Sequence, residues 1–256
     1  MPGDRVRARQ ATKRAIILDD KKAEHNGVCL ITGVGPGTGS ALVKAFVNGG
    51  YQVAMLARNE ERLNALSTKY AQAHAFPCDV LDTAKLAQTV EQIRTTLGAP
   101  SIVIHNAVGG AFGNFMEIEP ETLERNFQIN TMALLHLSRL VVDDMIAARH
   151  GVILATGNTS AYRGKAGFAG FAPTKAAQRI LLESIARAVG PKGIHAAYIA
   201  IDAVIDLAWT RERLPDKSDD FFCKPADIAE ACYSVAHQPR SAWVSDLVIR
   251  PFGETW

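Results

Sequence analysis

The stretch Val28 to Phe46, VCLITGVGPGTGSALVKAF, limits what this chain can fold into more than any other. It opens with an apolar run, Val28-Cys29-Leu30-Ile31, that reads as a buried strand. It closes with Ala41, Leu42, Ala45 and Phe46 at helical spacing. Between them glycine recurs at every second position: Gly33, Gly35, Gly37 and Gly39. A strand that turns sharply into a helix needs residues without a Cβ, and only glycine leaves room for a phosphate against the backbone. The free N–H groups and the dipole of the helix start then make an anion site. The spacing is Thr32-Gly33-x-x-x-Gly37-x-Gly39, not the commoner G-x-G-x-x-G. Alone, such a corner also suits a plain strand–helix turn, so the flanks and the downstream chain have to decide.

Downstream, apolar runs alternate with helical patterns. Strands are expected at Tyr51–Ala57, Ala73–Cys78, Ser101–His105, Gly151–Thr156, Ile194–Ile201 and Leu247–Ile249. Helices are expected over Glu60–Tyr70, Thr83–Leu97, one long stretch Glu119–Ala148, Phe171–Val189 and Pro225–Ala236. The strands are apolar on both faces, which implies a parallel sheet covered on each side. The fold class is α/β, a single Rossmann-like doubly wound parallel sheet with helices on both faces. Ligands of such sheets lie beyond the carboxyl ends of the strands. Gly33, Arg58, Asp79 and Asn106 each follow a strand.

Size and composition allow one large domain: 256 residues, 48% hydrophobic, 21% charged, net charge +2. The near-neutral charge gives no reason to expect nucleic acid. No apolar run approaches the ~20 residues of a membrane span. Cys29, Cys78, Cys223 and Cys232 have no C-x-x-C spacing and read as reduced core cysteines of a cytoplasmic protein. No two histidines have metal-ligand spacing, so no metal is expected. Residues 1–26 form a basic arm with Arg5, Arg7, Arg9, Lys13 and Arg14. An organelle presequence, a solvated arm that pairs with another subunit and an over-long start all remain open. Residues 27–256 are expected to form one domain around the glycine corner, with a lid segment near 207–225.

At this point the chain resembles the short-chain dehydrogenase/reductase family over about Gly27 to Gly253. Thr32 to Gly39 fits the family's T-G-x-x-x-G-x-G at every fixed position. Asp79-Val80 matches its adenine-contacting D-[VI], and Asn106-Ala107-Val108 is close to its N-A-G. Asn130 matches its helix asparagine and Lys175 its active-site lysine. The resemblance implies a dinucleotide held by Gly33, Gly37, Thr38, Gly39, Arg58, Asp79, Val80, Asn106, Ala107, Lys175 and Ile205. Arg58 points to NADP, with NAD as the lesser alternative: an acidic residue there would bind a ribose 2′-OH, whereas guanidinium grips phosphate. Pro36, where NADP-preferring relatives often carry a basic residue, weighs the other way. The plain reading of Arg58 is a solvated partner of Glu60 or Glu61.

The pattern breaks at the chemistry. The family's Tyr-x-x-x-Lys puts tyrosine and lysine on one helix face, and the lysine lowers the tyrosine pKa from its normal ~10. Here the tyrosine position is Phe171, which has no proton to give, and the serine position is Asn158. Phe168, where some enoyl-reducing relatives place tyrosine, also lacks a hydroxyl. Asp202-Ala203 replaces the Pro-Gly after the sixth strand. Substitute donors are Tyr162, Ser160 or Thr159, Asp202, or water held by Lys175 and Asn130. The catalytic set is therefore Lys175, Asn130 and Asn158. Two functions stay open: an NADP-preferring oxidoreductase acting on a small carbonyl, alcohol or activated alkene, or a nucleotide-binding sensor or subunit partner without turnover. His105 reads as a packed strand-end residue. The long helices imply a homodimer or homotetramer, and the tail ending at Trp256 is expected to pack near the site or on a neighbouring subunit.

Overall fold

The computed structural model describes residues 27–253. The basic arm and the terminal Trp256, with the roles expected of them, lie outside the described residues.

The first half of the chain alternates strand and helix: β1 (Val28–Thr32), α1 (Thr38–Asn48), β2 (Gln52–Ala57), α2 (Glu60–Lys69), β3 (Ala73–Pro77), α3 (Thr83–Thr96) and β4 (Pro100–His105). The second half continues with α4 (Pro120–Phe127), α5 (Ala133–Ala148), β5 (Gly151–Asn158), α6 (Ala172–Val189) and β6 (Ile194–Ile201). The excursion β7 (Val204–Ile205), α7 (Ala208–Arg213) and β8 (Phe222–Cys223) follows, then α8 (Pro225–Ala236) and β9 (Asp246–Ile249). Seven strands form one sheet in the order β3-β2-β1-β4-β5-β6-β9, and every pairing is parallel. The order reverses between β1 and β4, so the crevice beyond Thr32 and His105 is the topological switch point where such sheets hold ligands.

Period-2 alternation along the strands divides the core into two layers. On one face Cys29, Ile31, Val53, Met55 and Ile104 meet Leu42 and Phe46 of α1, Leu63 of α2 and Ile228 of α8. On the other, Leu30, Leu56, Val103, Ile153 and Tyr198 meet Leu86 and Ile93 of α3, Leu137 and Val141 of α5 and Leu182 of α6. Burying one such side chain contributes about 1.5–3 kcal/mol, which is why strands apolar on both faces take this doubly covered form.

One expectation is corrected. The single long helix over Glu119–Ala148 is interrupted by a π-helical turn, Gln128–Met132, between α4 and α5. At the polar stretch near 207–225, β7 and β8 pair as a small second sheet. Arg211 clips it, donating to both carboxylate oxygens of Asp206 (2.7 and 2.9 Å) and to Asp219 (2.6 Å).

Candidate active site

The glycines of the corner serve different ends. Gly33 has φ +70°, and a Cβ there would lie 2.5 Å from Ala107 Cα. A Cβ on Gly39 would lie 2.6 Å from the Gly33 carbonyl oxygen. These two let the chain pack against its own backbone. Gly37 is pressed by Leu207, whose Cδ2 would be 2.5 Å from a Cβ, while a Cβ on Gly35 would meet only the Gly33 carbonyl oxygen, in ordinary contact at 4.0 Å. α1 starts at Thr38 with no side-chain cap on Gly37, and the first amides of a helix have no partner within it. Thr38 Oγ1 is buried without a hydrogen-bond partner among the described residues. Unpaired donors at a helix start beside a bare glycine ledge fit a diphosphate.

Asn106 fastens this corner to the sheet. Its Nδ2 donates to the Gly33 carbonyl (2.8 Å) and its Oδ1 accepts from the Thr156 hydroxyl (2.8 Å). Ala107 follows it, and its amide donates to Thr32 Oγ1 (3.4 Å). His105 is fully buried; Nε2–H donates to the Ile129 carbonyl (3.0 Å), so Nδ1 accepts from the Thr32 hydroxyl (3.0 Å). Burial, aided by the Lys175 charge, pushes the imidazole down to about 4. It is a neutral brace, as the packed strand-end reading expected. Farther out, Arg58 is exposed after β2. The pairing with Glu60 or Glu61 is not seen: Arg58 forms no ion pair among the described residues. Asp79 Oδ1 accepts from the Leu81 amide (3.1 Å), with Val80 buried beside it.

A cavity of about 180 Å³ opens beside the corner, lined by Thr38, Asn106, Asn158, Phe171, Lys175 and Ile205 among others. Phe171 is the N-cap of α6 and Lys175 lies one turn on, so both face the cavity. Lys175 is only 2% exposed. Its Nζ donates to Gln178 Oε1 (2.9 Å) and the Thr156 carbonyl (3.4 Å), and lies 5.7 Å from the Phe171 ring centroid. Burial pushes the ammonium down to about 7. Asn158 Oδ1 accepts from the Ser160 amide (3.1 Å), and its Nδ2 has no partner among the described residues.

The hydroxyl and carboxyl donors expected from the sequence, Tyr162, Ser160, Thr159 and Asp202, do not line this cavity. Tyr162 donates to Asp246 Oδ1 under the Arg179 guanidinium, 4.7 Å from its ring centroid, and burial with that carboxylate pushes the phenol up to about 12. Ser160 and Tyr162 line a different cavity with Ala172, Pro173 and Ala176, another side of the first turns of α6. Thr159 donates to Asp202 Oδ1, and Arg163 Nη2 stands 3.8 Å from the same carboxylate. Asn158 and Ile201 line the cavity, whereas Thr159, which opens a short 3-10 turn after β5, and Asp202 do not. Asn130 is also outside it. Buried in the π-turn, it grips Gly109 through both its amide groups (3.0 and 2.8 Å) and donates to Thr174 Oγ1 (2.8 Å). It braces the loop after β4 against α6.

Three participants escaped the sequence reading. Gln178 holds Lys175, and its position three residues on along an otherwise small and apolar helix face was the available signal. Thr156 locks Asn106. Leu207 covers Gly37, and no local pattern announces a contact so far apart in the chain.

A doubly wound sheet with a glycine corner at its switch point and a buried lysine beyond β5 defines a nucleotide-binding α/β domain. The model of the short chain dehydrogenase family matches residues 27–213. The 7alpha-hydroxysteroid dehydrogenase of Escherichia coli K12 is 27% identical over 241 residues, covering 89% of this chain and 94% of that protein. The alcohol dehydrogenase of Thermococcus sibiricus complexed with 5-hydroxy-NADP superposes with TM-score 0.80 at 22% identity, covering 90% of this chain and 98% of the other. An NADPH-bound short chain oxidoreductase of Pseudomonas aeruginosa PAO1 with an atypical catalytic center gives TM-score 0.80 at 23% identity, covering 89% and 96%. The chain belongs to the short-chain dehydrogenase/reductase family and is an oxidoreductase of its NAD(P)-dependent kind.

Proposed function

We propose that the protein is an NADP-preferring oxidoreductase acting on a small carbonyl, alcohol or activated alkene through an altered proton-donor arrangement. The observation that carries this reading is the joint presence, on one cleft, of the fitted diphosphate corner and a buried lysine beside an amide donor. Gly37 and Thr38, beside Gly35, hold the diphosphate on a corner that Gly33 and Gly39 shape, Asp79 and Val80 hold the adenine side, and Asn106, Ala107, Lys175 and Ile205 the nicotinamide half. When bound, the cofactor supplies or takes up hydride. The chain itself orients the substrate oxygen with Asn158 Nδ2, holds positive charge beside it with Lys175, and narrows the cavity with Phe171. Arg58, exposed and free of carboxylates, is the group for a 2′-phosphate. NADP-bound relatives of the same fold support that choice.

The substrate mouth is apolar. Val108, Phe112, Phe115 and Met116 are 61–79% exposed on the loop after β4, and Trp209 is 56% exposed on α7; exposed apolar side chains gathered at a cleft suit a binding site. Substrates with an apolar flank fit it. The stretch near 207–225 is the lid over this mouth, and exposed Ile180 on α6 suits the face of a homodimer or homotetramer in the cytoplasm. The second reading, a nucleotide-binding partner without turnover, draws on Phe171 and Asn158 at the tyrosine and serine positions.

Fluorescence titration with NADPH and NADH tests the reading. NADPH is expected to bind more tightly, and Arg58→Ala to weaken NADPH by about 10–100-fold, the worth of a charged hydrogen bond, with NADH little changed. A carbonyl and enone panel followed at the nicotinamide band then separates the two readings. Tight binding with no turnover on any substrate selects the second.

A further inference from the structure

Resting on the oxidoreductase reading, we infer that Lys175 is the acid itself: its Nζ protonates the substrate oxygen directly, the task left vacant by Phe171. The geometry leads there by elimination and by fit. Tyr162, Ser160, Thr159 and Asp202 are committed elsewhere or face away. Of the cavity's side-chain donors, Thr38 lies at the diphosphate corner and Thr156 gives its proton to Asn106. Asn158 Nδ2 can hold an oxygen but has no acidic proton. Lys175 lines the same cavity, and two of its three N–H bonds are donated, to Gln178 and the Thr156 carbonyl.

Its surroundings suit an acid that must give up a proton. The ring of Phe171, 5.7 Å away, carries no hydroxyl to compete for the charge. The titratable group facing it is His105 on β4, kept neutral by its own burial. No carboxylate pairs with Lys175 among the described residues. Burial has already brought the ammonium to about 7, and an acid works best near the ambient pH. The step balances. With NADPH as the reductant, a dihydronicotinamide C–H bond would break as the substrate C–H bond forms, the C=O π pair would move onto oxygen, and the Nζ–H bond would break as O–H forms. Nζ keeps the electron pair until water reprotonates it. Gln178, which accepts from Nζ at 2.9 Å, is the positioning residue.

Two measurements test this. The full protein is treated with limiting propionaldehyde and cyanoborohydride, and labelled lysines are mapped by mass spectrometry across pH. Lys175 is expected to label ahead of exposed lysines at neutral pH, with a midpoint near 7 and protection by NADPH. Slower labelling than exposed lysines at every pH overturns the inference. In single turnover at saturating NADPH, Lys175→Arg keeps a charge that cannot be released, so the rate is expected to fall at least about 100-fold beyond whatever NADPH affinity the variant loses. A loss smaller than about threefold overturns it. Failure of the wild-type protein to bind NADPH would instead remove the functional reading, and leave the labelling result standing.

Discussion

The two ends of the cleft are built in different materials. At the nucleotide end the site is backbone: amides at the start of α1, a bare ledge at Gly35, and a φ of +70° at Gly33 that side chains rarely adopt. At the far end it is side chains: Lys175, Asn158 and the Phe171 ring. A backbone site can be read as steric necessity, because few residues permit it. A side-chain site can exchange its acid for a neighbour's without disturbing the fold. Under the proposed function the cleft binds by shape at one end and reacts by local electrostatics at the other.

Substitutions at the corner should break the comparison hardest. Gly33→Ala forces a Cβ into Ala107 at a positive φ and is expected to lose about 3 kcal/mol or more of stability. Gly35→Ala, whose Cβ would meet only ordinary contact, should cost under about 1 kcal/mol in urea denaturation yet weaken NADPH. Equal destabilisation by the two would remove the division of labour among the glycines.

At the other end, function costs stability. The folded pKa of Lys175 lies below the unfolded value, so between about 7 and 10.5 the unfolded chain holds the extra proton. Stability then rises with pH across that window by up to about 1.4 kcal/mol per unit. Lys175→Met is expected to raise the urea midpoint at pH 7 and flatten that slope while abolishing turnover. A midpoint that falls would mean the lysine is structural. His105 acts in the acid range. Its folded pKa is depressed from 6.5 to about 4, so stability is lost as pH falls through that window. The loss is about 3 kcal/mol, and His105→Gln should remove most of it. Smallest of all, Tyr162→Phe should change turnover by less than about twofold, because that hydroxyl serves Asp246.

Much of the fold was legible because strands buried on both faces leave continuous apolar runs, and because Thr32 to Gly39 admits few conformations. The π-turn at Asn130 was not, since its cause is tertiary: the amide must reach Gly109 and Thr174 together. Within the site, Lys175, Asn158 and Asn106 were legible by position and are brought to one cavity. Which hydroxyls face it was not. That depends on the short turn after β5 and the end of β6, where Thr159 and Asp202 pair with each other instead.

A crystal structure with NADPH bound measures the central claim most directly. The account predicts the diphosphate on the amides of Gly37 and Thr38 beside Gly35, and the nicotinamide end between Asn158 and Lys175. A dinucleotide seated anywhere else, or no density at saturating NADPH, would contradict it.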